Sequence, residues 1–327
     1  MAHKTSSADG AFNRCAIILA AGEGVRLRSF VKTLRGDTLP KQYVRFLGSR
    51  SMLETTFHRA QRLIPWERLF TVVSANHLKY PEVTRQLAAY PEIRVVVQPI
   101  DRDTGIGLLL PLAHLFRRYP DSTVAVFPSD HFVREEDRFM THVDAAFRLV
   151  EQQPAKIVLL GVAPNRAEPE YGYIVPGEEL RGPIALGVRE VCRIIEKPQP
   201  AVARELVLRG GLWNTLVVVF KTKTFLNQVR RSAPFLHSSF ERIQRTIATP
   251  STRDLLKELY LRMQPVNLSR GLLEILPKQR PSPLWVLPVR DVYWSDWGAE
   301  TRIRNVLGEI ADSSPLNEAR ENRVAIW

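Results

Sequence analysis

Cysteine is nearly missing from this sequence: only Cys15 and Cys192 occur in 327 residues. Two isolated thiols build neither a disulfide framework nor a thiolate metal site, so a reducing, cytoplasmic setting is expected. Long apolar runs are missing as well. No stretch approaches the roughly 18 uninterrupted apolar residues of a membrane span, and residues 1–10 are polar with no apolar core of an export signal, so neither a membrane role nor export is expected. No repeat of about 20–50 residues and no hexapeptide periodicity occurs, which excludes a solenoid and argues against an appended β-helix. The net charge of +12 raises the question of nucleic acid. The arginines are scattered, as at Arg59, Arg62, Arg117, Arg118, Arg209, Arg230 and Arg231, without an aromatic-interleaved basic stripe. The charge therefore reads as a solvated surface with some steering of small anions, and no nucleic-acid partner is expected.

What is present is enough apolar material, 45% of residues, for one large domain or two modest ones. Short apolar runs at 15–21, 69–74, 93–98, 123–127 and 157–162 alternate with helix-spaced amphipathic stretches at 52–64, 81–90, 106–118 and 138–152. That alternation predicts βαβ units in a doubly wound α/β first half. The second half has short strands near 171–175 and 188–195, a helix over 199–209, further strands at 216–220 and 284–289, and a mainly helical stretch over 225–263. In such sheets ligands bind beyond the carboxyl ends of the strands, which directs attention to the residues after each one.

The first strand ends in Gly22, Glu23, Gly24, Val25, Arg26 and Leu27, and Pro40-Lys41-Gln42 follows across a polar loop. Glycines at the turn let backbone N–H groups converge on an anion, and Arg26 and Lys41 add fixed positive charge beside them. The loop reads as a clamp for a nucleotide triphosphate. It lacks the Gly-Lys-Ser/Thr ending of a P-loop and the third glycine of a dinucleotide fingerprint, and an ordinary glycine turn after a strand remains an alternative. After the strand at 123–127 comes Pro128-Ser129-Asp130-His131; Asp130 is either a Mg²⁺ ligand at a strand end or a turn residue capping the next helix. Near the other end of the chain Asp296 sits between two tryptophans, in Trp294-Ser295-Asp296-Trp297-Gly298, either as a second metal ligand or as a helix N-cap.

The glycine loop with Arg26, Leu27 and Pro-Lys-Gln resembles the signature of the sugar-phosphate nucleotidyltransferases. The Pro-Ser-Asp-His and Trp-Ser-Asp-Trp-Gly segments are similar to the magnesium-ligand motifs of the mannose-1-phosphate guanylyltransferases among them. The likeness runs over residues 14–308 with the motifs in family order. It implies a GT-A/Rossmann-like α/β domain whose mixed, mostly parallel sheet is flanked by helices. It also implies one Mg²⁺ held by Asp130 and Asp296, with catalytic roles for Arg26, Lys41 and Lys197 besides. Leu19, Ala20, Ala21, Gly22 and Gly24 would line the nucleotide, as would Gln98, Asp103, Thr104 and Gly105 in a segment where the family's Arg-Asn-Thr has become Arg-Asp-Thr. A carboxylate at Asp103 could accept from both N1–H and N2–H₂ of guanine, and a helix N-cap before Ile106 is the alternative. The Glu170-Tyr171-Gly172-Tyr173, Glu196-Lys197-Pro198 and Trp213-Asn214 segments resemble the family's sugar pocket, implying that Gly172, Tyr173, Glu196 and Asn214 bind the sugar phosphate.

Four departures stand out. Arg28-Ser29 replaces the proline usual after Arg-Leu, and the loop to Pro40 is longer than in the family. Thr215-Leu216 replaces Ser-Gly, and 272–277 matches poorly. The expected layout is a flexible N-terminus at 1–12, a catalytic domain at 13–310 and a tail at 311–327. The expected reaction is transfer of a nucleotidyl group from an NTP, with GTP favoured, to a sugar 1-phosphate, with mannose 1-phosphate favoured. The expected partners are these small molecules, and a homodimer is compatible but not decided by sequence. A small alcohol-phosphate cytidylyltransferase and a non-catalytic nucleotide-sugar sensor are the competing functions.

Overall fold

The computed structural model describes residues 13–180, 187–249 and 252–312; the expected N-terminal segment 1–12 and residues 313–327 of the expected tail lie outside them. The elements run β1 (Arg14–Ala20), α1 (Arg28–Arg35), α2 (Met52–Gln61), β2 (Leu69–Ser74), α3 (Pro81–Ala88), β3 (Arg94–Gln98), α4 (Asp103–Arg118), β4 (Thr123–Pro128), β5 (Phe132–Val133), α5 (Glu136–Gln152) and β6 (Ile157–Val162). They continue with β7 (Gly172–Glu179), β8 (Arg189–Glu196), α6 (Pro200–Leu208), β9 (Leu212–Lys221), α7 (Thr222–Ser232), α8 (Pro234–Thr246), α9 (Thr252–Arg262), β10 (Leu284–Val289), β11 (Trp294–Ser295) and α10 (Glu300–Asp312). Among the described residues no helix is long and apolar enough to cross a membrane.

One nine-stranded sheet has the order β3-β2-β1-β4-β9-β6-β10-β8-β7. The pairs β3/β2, β2/β1, β1/β4 and β6/β10 are parallel. The pairs β4/β9, β9/β6, β10/β8, β8/β7 and β7/β9 are antiparallel. The sheet is therefore mixed, and the expectation of a mostly parallel one holds only for the block β3-β2-β1-β4 and the pair β6/β10. Parallel neighbours need helical crossovers, which the first half supplies; in the second half β7 and β8 are antiparallel neighbours, and β9 enters antiparallel between β4 and β6.

Side chains alternate across β1, sending Ala16, Ile18 and Ala20 to one core and Cys15 and Ile17 to the other. The first core is covered by α1, α2, α3, α5 and α10, the second by α4, α7, α8 and α9. Burial raises the Cys15 thiol to about 11, which keeps it inert. The long segment after Arg28 is an ordered helix, α1, with Phe30 and Val31 buried and Gly36 at φ 82° ending it. Its mostly polar sequence hides so short an apolar stripe, which is why it reads as a loop. Beyond β1 the chain turns to β2 on one side and later to β4 on the other, so a crevice opens between the carboxyl ends of β1 and β4.

Candidate active site

The glycine loop starts where β1 ends. Gly24 takes φ 60°, and a Cβ there would come within 3.3 Å of the Lys41 backbone nitrogen, so the turn packs backbone against backbone. The loop is held from below by Gln42, whose buried amide donates to the carbonyls of Ala20 (2.9 Å) and Gly22 (2.8 Å). Gln42 was visible as the third residue of the Pro-Lys-Gln triplet, but its role as the strut of the loop was not.

Lys41 is the hub of the site. Its nearly buried ammonium lies 2.9 Å from Asp130 Oδ2 and donates to the backbone carbonyls of Asp296 (2.9 Å) and Trp297 (3.1 Å). Two local devices bring these distant residues to it. Ser129 N–H bonds to Leu19 O at 3.1 Å, fixing Asp130 beside the glycine loop. The ribbon β5/β11 pairs Phe132 with Ser295 and Val133 with Trp294, which carries Asp296 to the same place. Burial works against the charged form of Asp130, but Lys41 and its other neighbours outweigh it and hold the carboxyl below its ordinary value. Burial pushes His131 down to about 4 despite Asp130 and Asp296 nearby, so the ring is neutral at neutral pH, and its Nδ1 accepts from the Trp294 indole at 3.3 Å.

Arg302, on the first turn of α10, is a site residue the sequence reading passed over. It is 6% exposed, stands over the Tyr171 ring, and reaches Glu168 (3.2 Å), Glu170 (2.9 Å) and Asp296 (3.1 Å). Arg26 shares Glu170 at 3.3 Å. Gly298 marks where these groups meet: a Cβ there would lie 2.6 Å from Asp296 Oδ2, 2.8 Å from Arg302 and 2.9 Å from Arg26. An arginine on a helix six residues past an aspartate carries no local signal, since only the turn at Gly298 folds it back.

A cleft of about 550 Å³ is lined by Leu19, Ala21, Gly22, Gly24, Arg26, Lys41, Gln98, Asp103, Thr104, Asp130 and Asp296, together with Leu216 of the altered Thr215-Leu216 pair and with Asp101, which the sequence reading did not single out. A larger cavity of about 1170 Å³ opens behind β5, but it contains neither aspartate nor the glycine loop, so the smaller cleft is the candidate site. Gln98 is buried with both amide atoms free of protein partners. Asp103 adopts φ 64°, and its Oδ1 accepts from Thr104 N (2.6 Å) and Asn267 (3.3 Å). It does not act as an N-cap of α4, because the one backbone N–H its side chain meets is that of the next residue, Thr104, and none further into the helix. Two residues expected at the nucleotide, Ala20 and Gly105, are not among those lining the cleft. Ala20 serves through its carbonyl, bound by Gln42. The Gly105 N–H bonds to Val266 O at 2.7 Å, and a Cβ there would meet that oxygen at 2.7 Å, so it seats the strap 265–268.

The expected sugar residues lie outside this cleft. Gly172 and Glu196 are partners in the β7/β8 ladder, and a Cβ on Gly172 would come within 2.7 Å of Glu196 Oε2 and 3.4 Å of Asn214 Cβ, so these three do converge. Burial raises the Glu196 carboxyl, with Lys197 opposing. Lys197 is exposed at φ 51°. Tyr173 is a correction: it is fully buried, and its hydroxyl accepts from Glu168 N–H (2.8 Å) and the Trp213 indole (3.2 Å) while donating to Glu168 O (3.2 Å), so nothing of it faces a sugar. At the altered Thr215-Leu216, Leu216 takes φ 55° with its N–H on Asn214 Oδ1 (3.0 Å).

Among the described residues no three His, Cys, Asp or Glu side chains are grouped to hold a metal. Two carboxylates without thiolate fit a hard cation such as Mg²⁺, whose other ligands would be phosphate oxygens and water.

The family profile for nucleotidyl transferase matches residues 15–312. The xanthan biosynthesis protein XanB of Xanthomonas campestris pv. campestris is 29% identical over 219 residues, 67% of this chain and 44% of XanB. Mannose-1-phosphate guanylyltransferase 2 of Escherichia coli O157:H7 is 27% identical over 319 residues, 94% of this chain and 64% of that protein. The crystal structure of a mannose-1-phosphate geranyltransferase from Thermus thermophilus matches with a TM-score of 0.73 at 28% identity, covering 88% of this chain and 76% of that one. The chain thus spans between 44% and 64% of the length of these two curated relatives.

Proposed function

The chain belongs to the nucleotidyl transferase family, and from that premise we propose that it transfers a guanylyl group from GTP to mannose 1-phosphate, giving the nucleotide sugar and pyrophosphate. The observation that carries the reading is the meeting of Asp130 and the Asp296 segment on Lys41, beside the glycine loop.

An oxygen of the sugar phosphate attacks the α-phosphorus in line, the new P–O bond forms, and the bond to the β-phosphate oxygen breaks as pyrophosphate leaves. A phosphate monoester is largely ionised at neutral pH, so no general base is needed. The residues manage charge. Backbone N–H groups of the glycine loop and Arg26 take the β- and γ-phosphates, and Lys41, held between Asp130 and two carbonyls, is positioned for charge developing at the α-phosphate. Asp130 and Asp296 would hold Mg²⁺, whose charge would offset that of the phosphates during the transfer. Gln98, Asp101 and the open oxygen of Asp103 offer a donor and acceptors for a guanine edge. Lys197, Glu196 and Asn214 would bind the sugar phosphate.

Pyrophosphate release measured for a panel of sugar 1-phosphates against the four NTPs with Mg²⁺ tests the reading. GTP with mannose 1-phosphate should be the fastest pair. Preference for UTP or dTTP would overturn the base assignment, and no release with any pair would overturn the activity.

A further inference from the structure

Each aspartate assigned to the metal is already paired with a cation of the chain itself. Lys41 Nζ stands 2.9 Å from Asp130 Oδ2, and Arg302 Nε stands 3.1 Å from Asp296 Oδ1. The formal charges of these four side chains cancel. The two cations differ in how easily they can leave. Lys41 is a point charge on a flexible stem, able to turn from Asp130 to an arriving phosphate. Arg302 is buried, lies under the constraint of the Tyr171 ring, and is tied at its other nitrogens to Glu168 and Glu170. A guanidinium stays charged at any working pH. Its Nε–H has no aligned hydrogen-bond acceptor, so its hold on Asp296 is Coulombic rather than directional.

A free dication approaching Asp296 therefore meets a guanidinium 3.1 Å from Oδ1 that can neither deprotonate nor move aside, with Glu168 and Glu170 taken up at its other nitrogens and Arg26 on Glu170, whereas a dication already wrapped by a triphosphate arrives as a net anion. We propose that Arg302 bars uncomplexed divalent cations from the Asp130–Asp296 pair, so that the metal enters only with its nucleotide. Arg302 is a positioning residue acting through Asp296, and the proposal rests on the reading of this cleft as a nucleotidyl-transfer site.

Mn²⁺ is the probe, followed by the enhancement of water-proton relaxation when it binds the folded protein. Without nucleotide, the wild-type protein should show no Mn²⁺ site in the range where Mn²⁺ with GTP binds. Arg302→Gln should gain a nucleotide-free site at least about tenfold tighter than the wild type, and adding Asp296→Asn should abolish it. Arg302→Lys keeps the charge but loses the planar fork tied to Glu168 and Glu170, so its nucleotide-free Mn²⁺ affinity should fall between those of the wild type and Arg302→Gln. A role confined to packing would lower the melting temperature of Arg302→Gln without creating a cation site. If the wild-type protein binds Mn²⁺ without nucleotide within about threefold of its affinity with GTP, the proposal fails, and that measurement decides it even where Arg302→Gln does not fold. Nucleotide-free Mn²⁺ binding by an enzyme that releases pyrophosphate overturns this inference alone; no GTP binding and no pyrophosphate release overturns the functional reading and this inference together.

Discussion

The ammonium of Lys41 lies 2.9 Å from the carboxylate of Asp130 and donates at the same distance to the backbone carbonyl of Asp296, so one lysine ties together segments 166 residues apart in the chain (296 less 130). Lys41→Met removes the cation and leaves a carboxylate and two carbonyls without their donor. Turnover should fall about 100-fold or more, accompanied by a loss of stability of about 2 kcal/mol. Pyrophosphate-release kinetics and urea unfolding check both, and near-native turnover would remove Lys41 from the reaction.

Gly298→Ala places a methyl group where Asp296, Arg302 and Arg26 all approach within 3 Å. The displaced side chains should reduce kcat about 10- to 100-fold, because small misplacements of reacting groups are costly. Circular dichroism should remain native. Unchanged kcat would mean that the three groups are not held in register for the chemistry.

Tyr173→Phe tests the correction made at the sugar side. The hydroxyl serves only the protein, so its loss should destabilise the fold by about 1–2 kcal/mol and leave the KM for sugar phosphate within about twofold. A tenfold rise in that KM with an unchanged melting temperature would return Tyr173 to the sugar pocket.

Burial depresses both His131 and His77 to about 4, against an ordinary value of 6.5. Between those values the unfolded chain binds protons that the folded chain refuses, so stability rises with pH there. It should be fully present above pH 6.5 and decline as the pH falls toward 4, by up to the order of 3 kcal/mol for each histidine. Urea midpoints at pH 7.5 and 5 measure the slope, and equal midpoints would show that neither ring is held neutral.

The first half of the sheet was legible because each strand is a short apolar run and each crossover an amphipathic helix, patterns that report burial residue by residue. The run at 69–74 is β2 and the run at 157–162 is β6, end to end. The apolar periodicity of the second half showed strands but not their direction: β9 reads the same whether it runs parallel or antiparallel to β4, since direction is settled by partners far away. In the same way Tyr173 and Gly105 stood within family-like motifs, and only their neighbours Trp213, Glu168 and Val266 show that they support the site from behind.

The sequence by itself determined the glycine turn, the lysine beside it and the two acids, because each is a local pattern of backbone freedom and charge at a strand end. The tertiary structure decided what those charges face. Pairing β5 with β11 set Asp296 next to Asp130, and the turn at Gly298 folded Arg302 onto Asp296. Coulomb energy depends on separation in space, and separation in space between residues far apart in the chain is fixed only when the chain is packed.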